Sequence, residues 1–134
     1  MEQENKLKIT TKTTKIPLYC PDNRIRVCIV DRLKDVKKFR DTLDDEDEYD
    51  TADALVFEDA SGKYPTRTMI FEREHITAGI IAHEAIHTKN HIFDSIGIIL
   101  DPTNDEPEAY FMTWLVDFVT SVWKKDQERF QKDE

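Results

Sequence analysis

The chain has few cysteines and no long apolar run. Only Cys20 and Cys28 occur among its 134 residues; a disulfide between them is possible, but we expect two reduced thiols. No apolar stretch approaches the roughly 20 residues of a membrane-spanning helix, and residues 1–6 lack the pattern of a signal peptide. These absences predict a cytoplasmic protein that does not interact with membranes.

Positive charge is also scarce. The chain carries 19 Lys and Arg residues against 28 Asp and Glu, so its formal net charge is −9 at pH 7. A phosphate backbone would be repelled by this charge, so we expect no binding to nucleic acid. The length suits one domain, and no repeat or linker is evident. We predict a single domain over residues 1–134, with residues 1–8 flexible.

An acidic run at residues 41–53 holds much of the negative charge, with eight carboxylates in thirteen residues. A calcium loop needs a central glycine, and this run has none. We interpret the run as a solvated loop. A repulsive surface or one that mimics DNA stays open as an alternative.

Apolar spacing and turn residues predict an α+β order of elements, in which strands, a helix and a hairpin precede two further helices. The strands are predicted at 9–14, 25–30, 54–58 and 67–72, and the helices at about 32–43, 75–91 and 106–131.

The most informative motif is an HExxH pentapeptide within the second predicted helix, His83-Glu84-Ala85-Ile86-His87. Helix positions i and i+4 lie on one face, so both imidazoles can converge on one metal ion. Glu84 lies beside that ion, where a general base for a bound water belongs. The alternative is a pair of structural histidines with a surface glutamate.

A catalytic zinc site usually needs a third protein ligand. His91 and His75 each lie eight residues from His83, a helical rise of about 12 Å. A single ion with bonds of about 2.1 Å does not reach across that distance. Neither histidine is therefore expected to be a ligand.

A carboxylate at the start of the last predicted helix is the alternative source of the third ligand. Stepping back from the apolar stripe of that helix, which includes Phe111 and Trp114, reaches Glu106. Glu108 lies four residues before an apolar position, so it stays open, as does Asp105. We favour Glu106.

The motif and the carboxylate after it resemble the gluzincin branch of zinc metallopeptidases, in which a glutamate on the helix after HExxH is the third zinc ligand. More closely, residues 70–118 are similar to small HExxH proteins found in bacteriophages and prophages. These often carry Asn-Asp-Glu-x-x-Ala-Tyr after the motif, and here that stretch is 104–110. The chain departs from the thermolysin-like pattern at Tyr110, where those enzymes have an aspartate that orients a zinc histidine.

This resemblance implies a zincin-like fold, with a small antiparallel or mixed sheet packed on the HExxH helix and a long C-terminal helix. It implies that His83, His87 and Glu106 bind Zn²⁺ and that Glu84 is the catalytic general base. A zinc-dependent metallopeptidase that hydrolyses a peptide or protein substrate is the first hypothesis. The alternative is a non-enzymatic, zinc-stabilised binding or inhibitor protein with an acidic surface, such as a phage accessory protein.

Three lesser expectations concern the strand at 67–72, two arginines and the two cysteines. In zincin folds the strand before the HExxH helix borders the cleft, so the strand at 67–72 is expected to offer its edge to an extended peptide. Arg67 or Arg73 would then meet a substrate carboxylate or the oxyanion, although each is more simply a solvated surface charge. Metal binding by Cys20 and Cys28 is a weaker idea, because their spacing is not that of a zinc ribbon. The sequence leaves the substrate and the oligomeric state open.

Overall fold

The computed structural model describes residues 8–33, the backbone of residues 54–59, and residues 64–130. The predicted helix at 32–43 falls almost entirely outside the described residues, as does the acidic run at 41–53. The predicted flexibility of residues 1–8 also falls there, except for Lys8.

Four strands in the described residues form one mixed sheet in the order β1-β2-β4-β3. They are β1 (Thr10–Lys15), β2 (Arg24–Val30), β3 (Ala54–Asp59) and β4 (Thr66–Glu72). β1 pairs with β2 and β3 pairs with β4 in antiparallel fashion, whereas β2 and β4 are parallel. The predicted hairpin is therefore confirmed, and so is the small mixed sheet.

The strand before the HExxH helix is an interior strand. β4 pairs with β2 on one side and with β3 on the other, so its backbone hydrogen-bonding groups face neighbours on both sides. The expectation that β4 offers its edge to a peptide is therefore wrong. Among the described strands, β1 and β3 form the edges of the sheet.

Two long helices follow the sheet in the described part of the chain: α1 (Ala78–Ser95) and α2 (Glu106–Phe130). The Thr77 hydroxyl caps α1 by accepting a hydrogen bond from the Ile80 N–H at 3.1 Å. α1 ends at Ser95, four residues beyond its predicted end, and is followed by Gly97, whose φ of 80° is left-handed. The Gly97 and Ile98 N–H groups donate back to the Asp94 and Phe93 carbonyls, which is a Schellman ending.

Both helices contribute to a core on one face of the sheet. Val27 on β2 lies beside Met69 on β4, and their apolar neighbours two residues along share that face. Among the side chains that the structure describes, the fully buried aromatic ones are Phe71, Phe93 and Phe111, one from β4 and one from each helix. The fold class is α+β, as predicted. No helix in the described residues has the length and apolar character to cross a membrane.

A buried ion pair fastens the far end of α2 to the sheet. Asp126 is 0% exposed and accepts two hydrogen bonds from the Arg73 guanidinium, at 2.8 and 2.9 Å. The Thr10 hydroxyl on β1 donates to the same carboxylate at 2.6 Å, and Arg73 also pairs with Asp31. Burial lowers the pKa of Arg73, but hydrogen bonds and charge from Asp126 and Asp31 outweigh it, so the pKa is raised. Arg67 and Arg73 are 7% and 8% exposed, so the expectation that they are solvated surface charges is wrong. Because Arg73 is engaged by Asp126 and Asp31, the expectation that it meets a substrate is wrong as well.

Candidate metal centre

α1 carries both motif histidines on its outer face. Its inner face is buried through residues that include Ile81, Ala85 and Ile92. His83 and His87 lie on the opposite side and are exposed, with the His83 side chain 66% accessible. Their Nε2 atoms are 3.3 Å apart, and their ring planes are inclined at 78°. The helical repeat alone brings the two imidazoles together.

The spacing of the two nitrogens fits a shared metal ion. Two ligand atoms on a tetrahedral zinc ion, with bonds of about 2.0–2.1 Å, lie about 3.3–3.4 Å from each other. The observed 3.3 Å matches that separation, and it is longer than the usual range of an N–H hydrogen bond. His83 and His87 therefore suit two neighbouring positions of one coordination sphere.

Glu84 lies at the edge of the histidine pair. Its side chain is 16% exposed, and its Oε2 atom is 3.9 Å from His83 Nε2. A carboxylate at that distance is close enough to contact a water molecule placed beside the two nitrogens. Its position suits a base that accepts a proton from such a water.

The other two described histidines do not join this pair. His91 is exposed one turn beyond His87, and among the described residues it forms no group of three possible metal ligands with the pair. His75 lies before α1, where its Nδ1 atom is 2.7 Å from the Glu72 carboxylate. The argument from helical rise therefore applies to His91, which lies on α1, and not to His75, which lies before the helix.

The two candidate glutamates of α2 face different surroundings. Glu108 forms an ion pair with Lys89 of α1, whose side chain is buried. The Lys89 ammonium also donates to Asn90 Oδ1 at 2.6 Å. Glu106, the first residue of α2, is exposed to solvent. Glu108 therefore pairs with α1, whereas Glu106 is exposed.

Sequence spacing carried a signal for this arrangement. Glu108 lies three residues before the buried Phe111 and so shares its side of the helix. Glu106 lies five residues before Phe111, on the far side. In residues 8–33 and 64–130, no three His, Cys, Asp or Glu side chains come close enough together to hold an ion. The structure brings together His83 and His87, and Glu106 as third ligand stays a prediction.

Tyr110 and the two cysteines lie apart from the histidine pair. The Tyr110 side chain is exposed, where a thermolysin-like enzyme would have the aspartate that orients a histidine. Cys20 and Cys28 are free thiols, as expected. Burial raises the pKa of both, which disfavours the thiolate form that binds metals.

A groove between the two helices begins next to the histidine pair. Its volume is about 290 Å³. Ile86, whose side chain is 47% exposed, forms part of its wall and stands between His83 and His87 in the motif. The lining residues are Ile86, Lys89, Asp105, Glu108, Ala109 and Met112.

Comparison with known proteins adds no relative. The chain matches no protein-family model, no curated protein and no solved structure. The gluzincin resemblance therefore rests on the HExxH motif and on the Asn-Asp-Glu stretch after it. The inference of function rests on the site itself.

Proposed function

We propose that this chain is a zinc-dependent peptidase whose metal ligands include His83 and His87. The observation that carries the proposal is the 3.3 Å separation of their Nε2 atoms, the spacing that one tetrahedral ion needs. The carboxylate of Glu84 beside the pair supports a catalytic site rather than a purely structural one, because a structural zinc has no use for a base.

The reaction is the addition of water across a peptide bond. Zinc, when bound, acts as a Lewis acid that lowers the pKa of a water molecule and polarises the scissile carbonyl. Glu84 accepts one proton from the attacking water as the new C–O bond forms. It then delivers that proton to the leaving amine as the C–N bond breaks. The two histidines would bind the ion through Nε2, with each imidazole in its neutral form.

Glu106 is proposed as the third ligand. Lys89 neutralises Glu108, and a metal ion would have to break that ion pair to recruit it. Glu106 heads the helix that packs on α1 and is exposed. The first turn of α2 would have to rearrange to bring its carboxylate to the histidine pair. The assignment of Glu106 is therefore tested separately from that of the two histidines.

A second function is favoured by one observation: the formal net charge of the chain is −9 at pH 7. A zinc-stabilised binding or inhibitor protein would engage its partner through such an acidic surface. Its zinc-loaded form would bind a partner and hydrolyse no peptide. A screen of peptides against the zinc-loaded protein separates the two functions.

Replacing His83 with alanine should abolish zinc binding. The wild-type chain is expected to bind one zinc per molecule, and the variant to lose affinity by more than about 100-fold, because even partners outside the ligand sphere contribute 10- to 100-fold. Zinc titration against a chromogenic chelator measures both. His91→Ala is the matched control, since it removes an exposed histidine from the same helix and should keep full affinity. A His83→Ala protein with unchanged zinc stoichiometry would place the ion elsewhere.

Replacing Glu106 with glutamine should weaken zinc binding without unfolding the protein. We expect a loss of affinity of about 10- to 100-fold, since a first-sphere carboxylate contributes at least as much as an outer one. Glu108→Gln is the comparison. It should lower the melting temperature, because Lys89 is left buried without its ion pair, but it should change zinc affinity by less than about threefold. The reverse pattern would make Glu108 the ligand.

A further inference from the structure

The groove between α1 and α2 opens onto the proposed metal site. Ile86 follows His83 by three residues, so their side chains are neighbours on the helix surface. Ile86 also directly precedes His87. An extended peptide with a backbone carbonyl at the histidine pair would therefore pass a side chain over this groove.

Part of each wall of the groove is apolar. Ile86 is half exposed on one wall, and Ala109 and Met112 come from α2 on the other. This surface suits the aliphatic part of a side chain, because burying it removes apolar area from water. The volume of the groove, about 290 Å³, is large enough for a long side chain.

The charge at the rim is negative. The buried cation of the groove, Lys89, is already neutralised by Glu108 and also donates a hydrogen bond to Asn90. Asp105 also lines the groove and is exposed. Asp101 lines an adjoining cleft together with Asp105 and Glu108. These carboxylates would repel an acidic side chain of a bound peptide and attract a basic one.

We propose that this groove binds a lysine or arginine side chain of the peptide substrate. The aliphatic stem lies along Ile86, Ala109 and Met112, and the cationic end reaches the Asp105 carboxylate at the rim. The net charge of −9 adds a long-range attraction for basic peptides. The groove's role in substrate choice rests on the proposed peptidase function, but its preference for a basic side chain is a binding property that can be measured alone.

The binding experiment uses the zinc-loaded Glu84→Gln protein and three fluorescent peptides. The peptides are identical except for one central residue, which is lysine, norleucine or glutamate. We expect the lysine peptide to bind tightest and the glutamate peptide weakest. Adding Asp105→Asn should weaken binding of the lysine peptide by about twofold to fivefold, the range of an exposed ion pair, and leave the norleucine peptide unchanged.

Asparagine is chosen at position 105 because the backbone there begins α2. The Asp105 carbonyl accepts the first helical hydrogen bond, from the Ala109 N–H at 2.9 Å, and asparagine caps a helix as well as aspartate does. Asp117→Asn is the control. It removes the same charge from an exposed position of α2 outside the groove and should leave the lysine preference intact.

The outcomes separate the two proposals. Equal binding of all three peptides, tightest binding of norleucine, or equal effects of Asp105→Asn and Asp117→Asn would overturn the groove assignment. Cleavage of the same peptides by the wild-type protein is measured in parallel. Lysine-selective binding without any cleavage would overturn the peptidase function and support the groove assignment. Cleavage without lysine selectivity would support the peptidase function and overturn the groove assignment.

Discussion

Glu84→Gln should lower peptide hydrolysis by about 100- to 10,000-fold, the contribution that a positioned general base makes. Glutamine has nearly the same shape as glutamate but cannot accept the proton of the attacking water. His83 and His87 are untouched, so zinc affinity should stay close to that of the wild-type protein. The measurement pairs the turnover number on a cleaved peptide with the zinc content of the same sample.

Glu74→Gln is the matched control for this substitution. Glu74 is exposed just before α1 and lies outside the histidine pair, so activity should remain within about twofold of wild type. If Glu84→Gln retained full activity with its zinc in place, Glu84 would not be the base. If the wild-type protein held zinc but cleaved none of the peptides, the zinc-stabilised binding protein would be the better assignment.

Asp126→Ala should lower the free energy of unfolding by about 3–5 kcal/mol, because it leaves the Arg73 guanidinium buried without its main partner. Domains of this kind have total stabilities of about 5–15 kcal/mol, so the loss takes a large share. Asp126 receives two hydrogen bonds from Arg73 and one from Thr10. Urea unfolding followed by tryptophan fluorescence measures the change.

Two further variants make this prediction specific to the buried pair. Asp117→Ala removes an exposed aspartate from the same helix and should change stability by less than about 0.5 kcal/mol. Arg73→Met combined with Asp126→Leu replaces both charges with apolar groups and should recover most of the loss. An Asp126→Ala protein as stable as Asp117→Ala would show that the ion pair contributes little.

Much of the secondary structure follows from local patterns. The predicted last helix at 106–131 is found at Glu106–Phe130, and the predicted first strand at 9–14 is found at Thr10–Lys15. The limits of α1 were misplaced, although Thr77 before an apolar run and Gly97 after it are ordinary capping residues. Weighting those caps above the apolar run would have given the observed limits.

The burial of Asp126 could have been predicted from its position in the sequence. Asp126 continues the buried stripe of α2, four residues after Val122. A carboxylate at such a position implies a cationic partner, because an unpaired buried charge is too costly. The partner, Arg73, is 53 residues away, and no local pattern identifies it.

The sequence by itself determined the α+β order of the described elements and the meeting of His83 with His87. Both depend on the helical and strand repeats, which act over a few residues. Only the tertiary structure decided that β4 lies inside the sheet, that Arg73 pairs with Asp126, and that Lys89 is the partner of Glu108. These outcomes depend on how distant segments pack, since the parallel pairing of β2 with β4 and the turn between α1 and α2 set the neighbours of each side chain.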